Sequence, residues 1–422
     1  MPPTRSAAAD DPTREQPMMQ GGARVPSIDI LRGAVMVLMA LDHVRVFSGV
    51  PAGGRTPGIF FTRWATHFCA PAFLFLAGTA IFLYGQKLGG RAARGKLARF
   101  LLVRGAWLIL LEMTLIRFGW TFNVDYAHYA LAGVIWVIGW CMILMAGLVF
   151  LPLAVVGLLG AVVVAGHNLM DPQFWQLSDT LNERNLSWLW KILYFGFASG
   201  PIDVIGMKLT VLYSLIPWIG VMALGYAFGP VMRMDPLRRR RACLTIGGGA
   251  IAIFLLLRGL DLYGDPTSWN PPADPSAGSA DGRPQAPAPL RFLNTNKYPA
   301  SLLFLLMTLG PMIAVIPLLE TAHGRLARIL MVYGRVPFFY YVLHVPLIHV
   351  AAIVVSLLRE GHVNAWLYAN HPMGNPPTPD GYAWGLPLLY LVTFIVVAIL
   401  YVPCRWMGEL KQRRNEAWLR YL

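Results

Sequence analysis

The chain has 422 residues, 56% of them apolar and only 13% charged. A soluble domain carries about 25% charge, so the composition argues against a soluble enzyme, and the net charge of +14 is not a nucleic-acid signal. Four cysteines lie in or beside apolar runs without CxxC or His/Cys spacing, which argues against a disulfide framework and against a metal site.

Runs of about 20 apolar residues span a bilayer. The sequence predicts an all-α, polytopic membrane bundle with ten spans, at 30–49, 68–86, 99–116, 129–144, 147–166, 211–232, 241–260, 299–319, 336–357 and 384–403. An amphipathic stretch at 187–202 leaves an eleventh open. Residues 1–26 read as a flexible tail without the apolar core of a cleavable signal. Residues 27–408 form the membrane domain, 266–290 a flexible loop too poor in apolar residues to fold, and 409–422 a basic tail. Twenty-one Lys and Arg fall on one side of this topology and ten on the other. That bias places both termini in the cytoplasm.

Helix 1, SIDILRGAVMVLMALDHVRVF, carries Asp29, Arg32, Asp42, His43 and Arg45. Ionisable groups are costly in a membrane helix and are normally kept for a use. Asp29, Arg32, Met36 and His43 share a face, but Arg32 and His43 stand about 16 Å apart along the axis. Asp29 can pair with Arg32. Asp42 and His43 are adjacent and diverge, so Asp42 is free to pair with Arg45 or with another helix. His43 suits proton transfer or a packing role.

His67 opens helix 2, with Arg63 four residues before it; the pair suits a polar or anionic substrate, or an interfacial anchor. Pro71 and Gly78 should loosen that helix. Glu112 in helix 3, and Asp125 and His128 before helix 4, are further candidates. Pro217 and Gly220 predict a kink or a break in helix 6, with Ser214 placed to satisfy a freed carbonyl. Asn294, Lys297 and Tyr298 stand where the long loop enters helix 8, and Pro299 suits its first turn. Lys297 can attract an acidic group or orient a carbonyl. In helix 9, His344 falls at the midplane and His349 beyond it, either of them a core histidine or a site residue.

The blocks VPSIDILRGAVMVLMALDHVRVF, FTRWATHFCAPAFLFLAG, LYSLIPWIGVMALGYAFG, FLNTNKYPASLLFLLMTLGP and YGRVPFFYYVLHVPLIH resemble the bacterial DUF1624 family. Its membrane domain is similar to the catalytic domain of heparan-alpha-glucosaminide N-acetyltransferase. Helix 1 also looks like the opening of OafA-like membrane acyltransferases, whose basic residue, ten intervening residues and histidine match Arg32 and His43. The resemblance implies transfer of an acetyl or other short acyl group from cytosolic acyl-CoA, with no metal, to a hydroxyl or amine of a periplasmic or membrane-associated saccharide. It implies that His43 or His67 is the base, with Asp42 beside it. Asp29, Arg32, Arg63, Asn294, Lys297, Tyr298 and His344 would serve donor or acceptor. The resemblance also implies a bacterial inner membrane, with membrane lipids as expected partners; nucleic acid is not expected, and a homodimer is compatible with the sequence. A transporter or flippase of a polar lipid or sugar conjugate, or a non-catalytic accessory protein, stays open beside this reading.

Overall fold

A computed structural model describes residues 25–54, 56–171, 187–270, 286–373, 376–414 and 416. Most of the predicted 1–26 tail, the middle of the 266–290 loop and the end of the 409–422 tail lie outside these residues.

In chain order the helices are α1 (Pro26–Phe47), α2 (Pro57–Trp64), α3 (Cys69–Lys87), α4 (Arg94–Leu111), α5 (Arg117–Thr121), α6 (Val134–Leu148) and α7 (Leu153–Gly166). There follow α8 (Leu215–Phe228), α9 (Pro236–Gly259), α10 (Leu302–Glu320), α11 (Arg325–Arg335), α12 (Pro337–Glu360) and α13 (Leu386–Arg413). A 3-10 turn, Ala65–Phe68, joins α2 to α3, and a π turn, Glu112–Ile116, joins α4 to α5. Each predicted span contains a helix. By length and composition, however, seven helical segments among the described residues can cross a membrane, not ten. The other three fall short for physical reasons. Helix α1 carries Asp29, Arg32, Asp42 and Arg45, α4 and its continuation carry several arginines, and α6 has only 15 residues.

Two local expectations are corrected. Pro217 falls in the first turn of α8, where its missing N–H costs nothing, so it starts the helix instead of kinking it; the Ser214 hydroxyl is buried without a partner. Helix α10 begins only at Leu302, after Pro299, and is capped by Ser301, whose Oγ accepts from the Phe304 N–H at 3.0 Å. The 187–202 stretch is a series of short turns leading into a small sheet. Strands β1 (Ala130–Ala132), β2 (Ile202–Val204) and β3 (Met207–Val211) lie in the order β1-β3-β2, with β1 parallel and β2 antiparallel to β3. These strands are too short to show as a period in the sequence.

Glycines decide which helices touch backbone to backbone. A methyl on Gly33 of α1 would overlap the Leu330 carbonyl of α11, and one on Gly334 of α11 would overlap the Asp29 carbonyl. The same reciprocity joins Gly78 of α3 with Gly225 of α8, and Gly105 of α4 with Gly139 of α6. Small residues at such crossings let helices pack closely in lipid.

Two buried arginines tie down the connections at the end of the bundle opposite the chain termini, here the distal end. Arg117 donates to the carbonyls of Tyr129, Asn123 and Asp125 and lies over the Tyr126 ring. Arg258 donates to the carbonyls of Phe292, Thr267, Arg291 and Asn294 and pairs with Asp265 at 3.8 Å. Asp265 in turn accepts from the Asn296 N–H and the Ser301 hydroxyl, both at 2.8 Å. A buried charge keeps its place only when paired and hydrogen-bonded. This network therefore fixes the 294–301 segment that carries Lys297 and Tyr298.

Candidate functional site

Two cavities lie in the bundle. The proximal one, about 500 Å³ near the chain termini, is mainly apolar, with Phe73, Ile138 and Phe338 among its walls. Arg32, Arg104, Arg335 and Lys411 also line it, with no carboxylate among the described lining residues. These cations come from α1, α4, α11 and α13. Arg32 donates to the Leu76 carbonyl at 3.2 Å and pairs with Asp29 at 4.0 Å, as its helical spacing anticipated. The Arg335 Nε is buried without a hydrogen bond.

The distal cavity, about 400 Å³, is lined by Asp42, His43, Arg45, Arg63, Glu112 and an aromatic set including Trp120, Tyr213, Tyr298, Tyr341 and Trp366. Val134 and Tyr341 line both cavities, so the two lie back to back across these side chains. Helix α1 runs past both, with Arg32 and Met36 on the proximal one and Asp42, His43 and Arg45 on the distal one.

His43 is oriented by His344 of α12. Its Nδ1 lies 2.7 Å from the His344 Nε2. The His344 Nδ1 faces the carbonyls of Tyr341 at 2.6 Å and Tyr340 at 3.2 Å, so it carries the hydrogen and donates. In the neutral pair the His344 Nε2 is then the acceptor, the His43 Nδ1–H is the donor, and the His43 Nε2 keeps its lone pair. No hydrogen bond reaches that Nε2 among the described residues. Trp120 packs against the His43 ring edge at 4.6 Å.

Asp42 does not orient His43. It accepts from Arg45 at 3.2 Å and from Arg63 of α2 at 3.5 Å. Arg45 also donates to the Val50 carbonyl at 3.1 Å. Lys297 is 6% exposed, with its Nζ 5.2 Å from the Tyr298 ring centre. Glu112 is buried in the π turn, with its carboxylate over the start of α6, where the N–H groups of Gly133, Ile135 and Trp136 face it. The positive end of a helix favours a carboxylate there.

The structure separates the remaining candidates. His67 is buried beside Phe304, its Nδ1 has no hydrogen bond, and it lines neither cavity. Asn294 is exposed and lines neither. His128 is exposed and bonds Asp125 at 2.8 Å, which holds the Asp125 carboxyl below its ordinary range. His349 stacks on Phe122 and bonds the Gly119 carbonyl at 3.2 Å. His371, which sequence reasoning did not single out, lines the distal cavity and stacks on Trp366 at 3.9 Å. Arg104, Arg335 and Lys411 were also missed as a group, because they converge from three separate helices.

Residues 24–261 match the family described as heparan-alpha-glucosaminide N-acetyltransferase, catalytic. That is more than half of the chain. The chain belongs to this family. Comparison with curated proteins gives no match. Within the matched region lie Arg32, Asp42, His43, Arg63, Arg104 and Glu112, and therefore walls of both cavities. Tyr298 and Tyr341 on the distal cavity and Arg335 and Lys411 on the proximal one come from the remainder of the chain, as does His344, the partner of His43. Among the described residues no cluster of His, Cys, Asp and Glu has the arrangement to hold a metal ion.

Proposed function

We propose that the chain is a transmembrane acyltransferase that moves an acetyl or other short acyl group from acyl-CoA in the proximal cavity to a saccharide in the distal one. The observation that carries this reading is the back-to-back pair of cavities, with His43 in the distal one, its ring 6.0 Å from that of Tyr341 in the shared wall. With the Arg32–Lys411 end of the bundle facing the cytoplasm, the proximal cavity opens to cytosolic donor. Its four cations suit the phosphates of a coenzyme A, and its apolar walls suit the pantetheine arm and acyl group. Aromatic side chains in the distal cavity offer flat apolar faces with polar edges for a sugar.

In this mechanism the His43 Nε2 takes the proton of the acceptor hydroxyl or amine as its oxygen or nitrogen attacks the thioester carbonyl. The tetrahedral oxyanion is met by the cationic side of the distal cavity, Arg45 and Arg63. Collapse breaks the C–S bond, and the His43 imidazolium returns its proton to the departing thiolate. His344 keeps the His43 Nδ1–H engaged, which holds the ring in the tautomer that can accept.

Purified protein in lipid, given radiolabelled acetyl-CoA and a panel of saccharides, should release coenzyme A and yield labelled sugar. Uptake of saccharide into sealed vesicles without any acyl transfer would replace this reading with a transporter.

A further inference from the structure

Val134 and Tyr341 form the wall that the two cavities share. Val134 offers methyl groups only. Tyr341, in α12, offers a hydroxyl. The residue is buried, at 4% exposure, and this hydroxyl makes no hydrogen bond among the described residues. One position earlier the Tyr340 hydroxyl also lacks a hydrogen bond, but it is sealed in protein and Tyr340 lines neither cavity. The Tyr341 hydroxyl is not sealed. A buried hydroxyl without a protein partner is costly unless something else bonds it. At this wall, that partner comes from whatever occupies the cavities.

The Tyr341 backbone is already committed. Its carbonyl accepts from the His344 Nδ1–H at 2.6 Å, and His344 in turn holds His43. The Tyr341 and His43 rings meet edge to face, 6.0 Å apart. In a reactive complex the acceptor atom lies about 3 Å from the His43 Nε2 and about 3 Å from the thioester carbon. Those two contacts put the carbonyl at about the separation that Tyr341 keeps from His43. Arg45 and Arg63, held on Asp42, supply charge from the distal side. A hydroxyl in the wall supplies direct contact.

Resting on the acyltransferase reading above, we propose that Tyr341 is a further catalytic residue, whose hydroxyl donates a hydrogen bond to the thioester carbonyl oxygen. The bond strengthens as that oxygen becomes the tetrahedral oxyanion. The phenol keeps its proton throughout. The carbonyl π pair moves onto oxygen as the acceptor attacks and returns as the C–S bond breaks.

An analogue and a variant test this. Acetonyl-dethio-coenzyme A, whose ketone replaces the thioester and cannot release a thiol, is bound to the full chain in lipid nanodiscs. Carbon-13 in the ketone isolates its stretching band by infrared difference spectroscopy. The band should lie at lower frequency in the wild type than in Tyr341→Phe, which keeps the ring and the backbone carbonyl that holds His344. Tyr341→Phe should also lower the single-turnover rate of transfer from acetyl-CoA by about 10²-fold, the scale of one lost oxyanion donor. Its melting temperature and the thermal shift given by the analogue should match the wild type. A band at the same frequency in both proteins, an unchanged transfer rate, or loss of analogue binding along with turnover overturns the proposal. If Tyr341→Phe transfers as fast as the wild type, Tyr341 leaves the chemistry and the acyltransferase reading stands. If the wild type neither binds the analogue nor acylates any acceptor, that reading falls and takes this role with it.

Discussion

The proximal cavity gathers four cations with no carboxylate among its described lining residues, while the distal cavity surrounds Asp42 with arginines and places Glu112 on a helix N-terminus. Helix α1 contributes an arginine to each. Arg45 is held between Asp42 and the Val50 carbonyl in the distal wall, whereas Arg32, bonded to the Leu76 carbonyl at 3.2 Å and paired with Asp29, lines the proximal cavity. Similar residues therefore do different work. Distal charges are chiefly fixed parts of a wall, and proximal charges converge on a space wide enough for a polyanion.

Substitutions can break this contrast. His43→Ala should reduce acyl transfer by about 10²–10⁴-fold, the usual scale for a general base, with unchanged folding by size-exclusion chromatography; full activity would remove His43 from the chemistry. Asp42→Ala leaves two buried arginines without their carboxylate and should cost about 3–5 kcal/mol of stability, seen as a large drop in melting temperature in detergent. Arg335→Met should leave melting nearly unchanged and instead raise the donor KM about tenfold, with acceptor KM unaffected. If Arg335→Met proves as destabilising as Asp42→Ala, the two cavities handle charge alike and the distinction fails. His344→Gln, which retains an acceptor for the His43 Nδ1–H, should lower kcat by about tenfold or less and shift the pH profile, while His344→Phe should approach His43→Ala; a purely structural role would not move the profile.

The smallest effect concerns acid. Burial pushes His371 down to about 3 from an ordinary 6.5. The unfolded chain then binds a proton that the folded chain refuses, so this residue's share of stability is full above pH 6.5 and declines as pH falls towards 3. His371→Phe should flatten that part of the stability–pH curve, measured by hydrogen exchange in the 361–373 segment.

Much of the bundle was legible because apolar runs announce helices regardless of their neighbours. The Asp29–Arg32 and Asp42–Arg45 pairs were legible for the same local reason, a spacing of three on one helix. The partner of His43 was not. His344 lies 301 residues away, and no periodicity reports a contact between α1 and α12. Nor could spacing tell that His67, four residues after Arg63, turns away from the cavity that Arg63 lines. Glu112 looked like a candidate for chemistry because its use, facing the start of another helix, depends on a loop returning 20 residues later. The count of spans came out high because apolarity was read without weighing the charges in α1 and α4 or the brevity of α6.

The reciprocal glycine crossings make α1 with α11, α3 with α8, and α4 with α6 into mechanical units, each a two-helix plank whose members cannot slide without collision. The proximal cavity lies between these planks, walled by α1, α3, α4 and α6. Admission of a bulky donor to that cavity is then expected to part planks, so spectroscopic labels placed across a seam should report donor binding, while labels within one plank should stay silent.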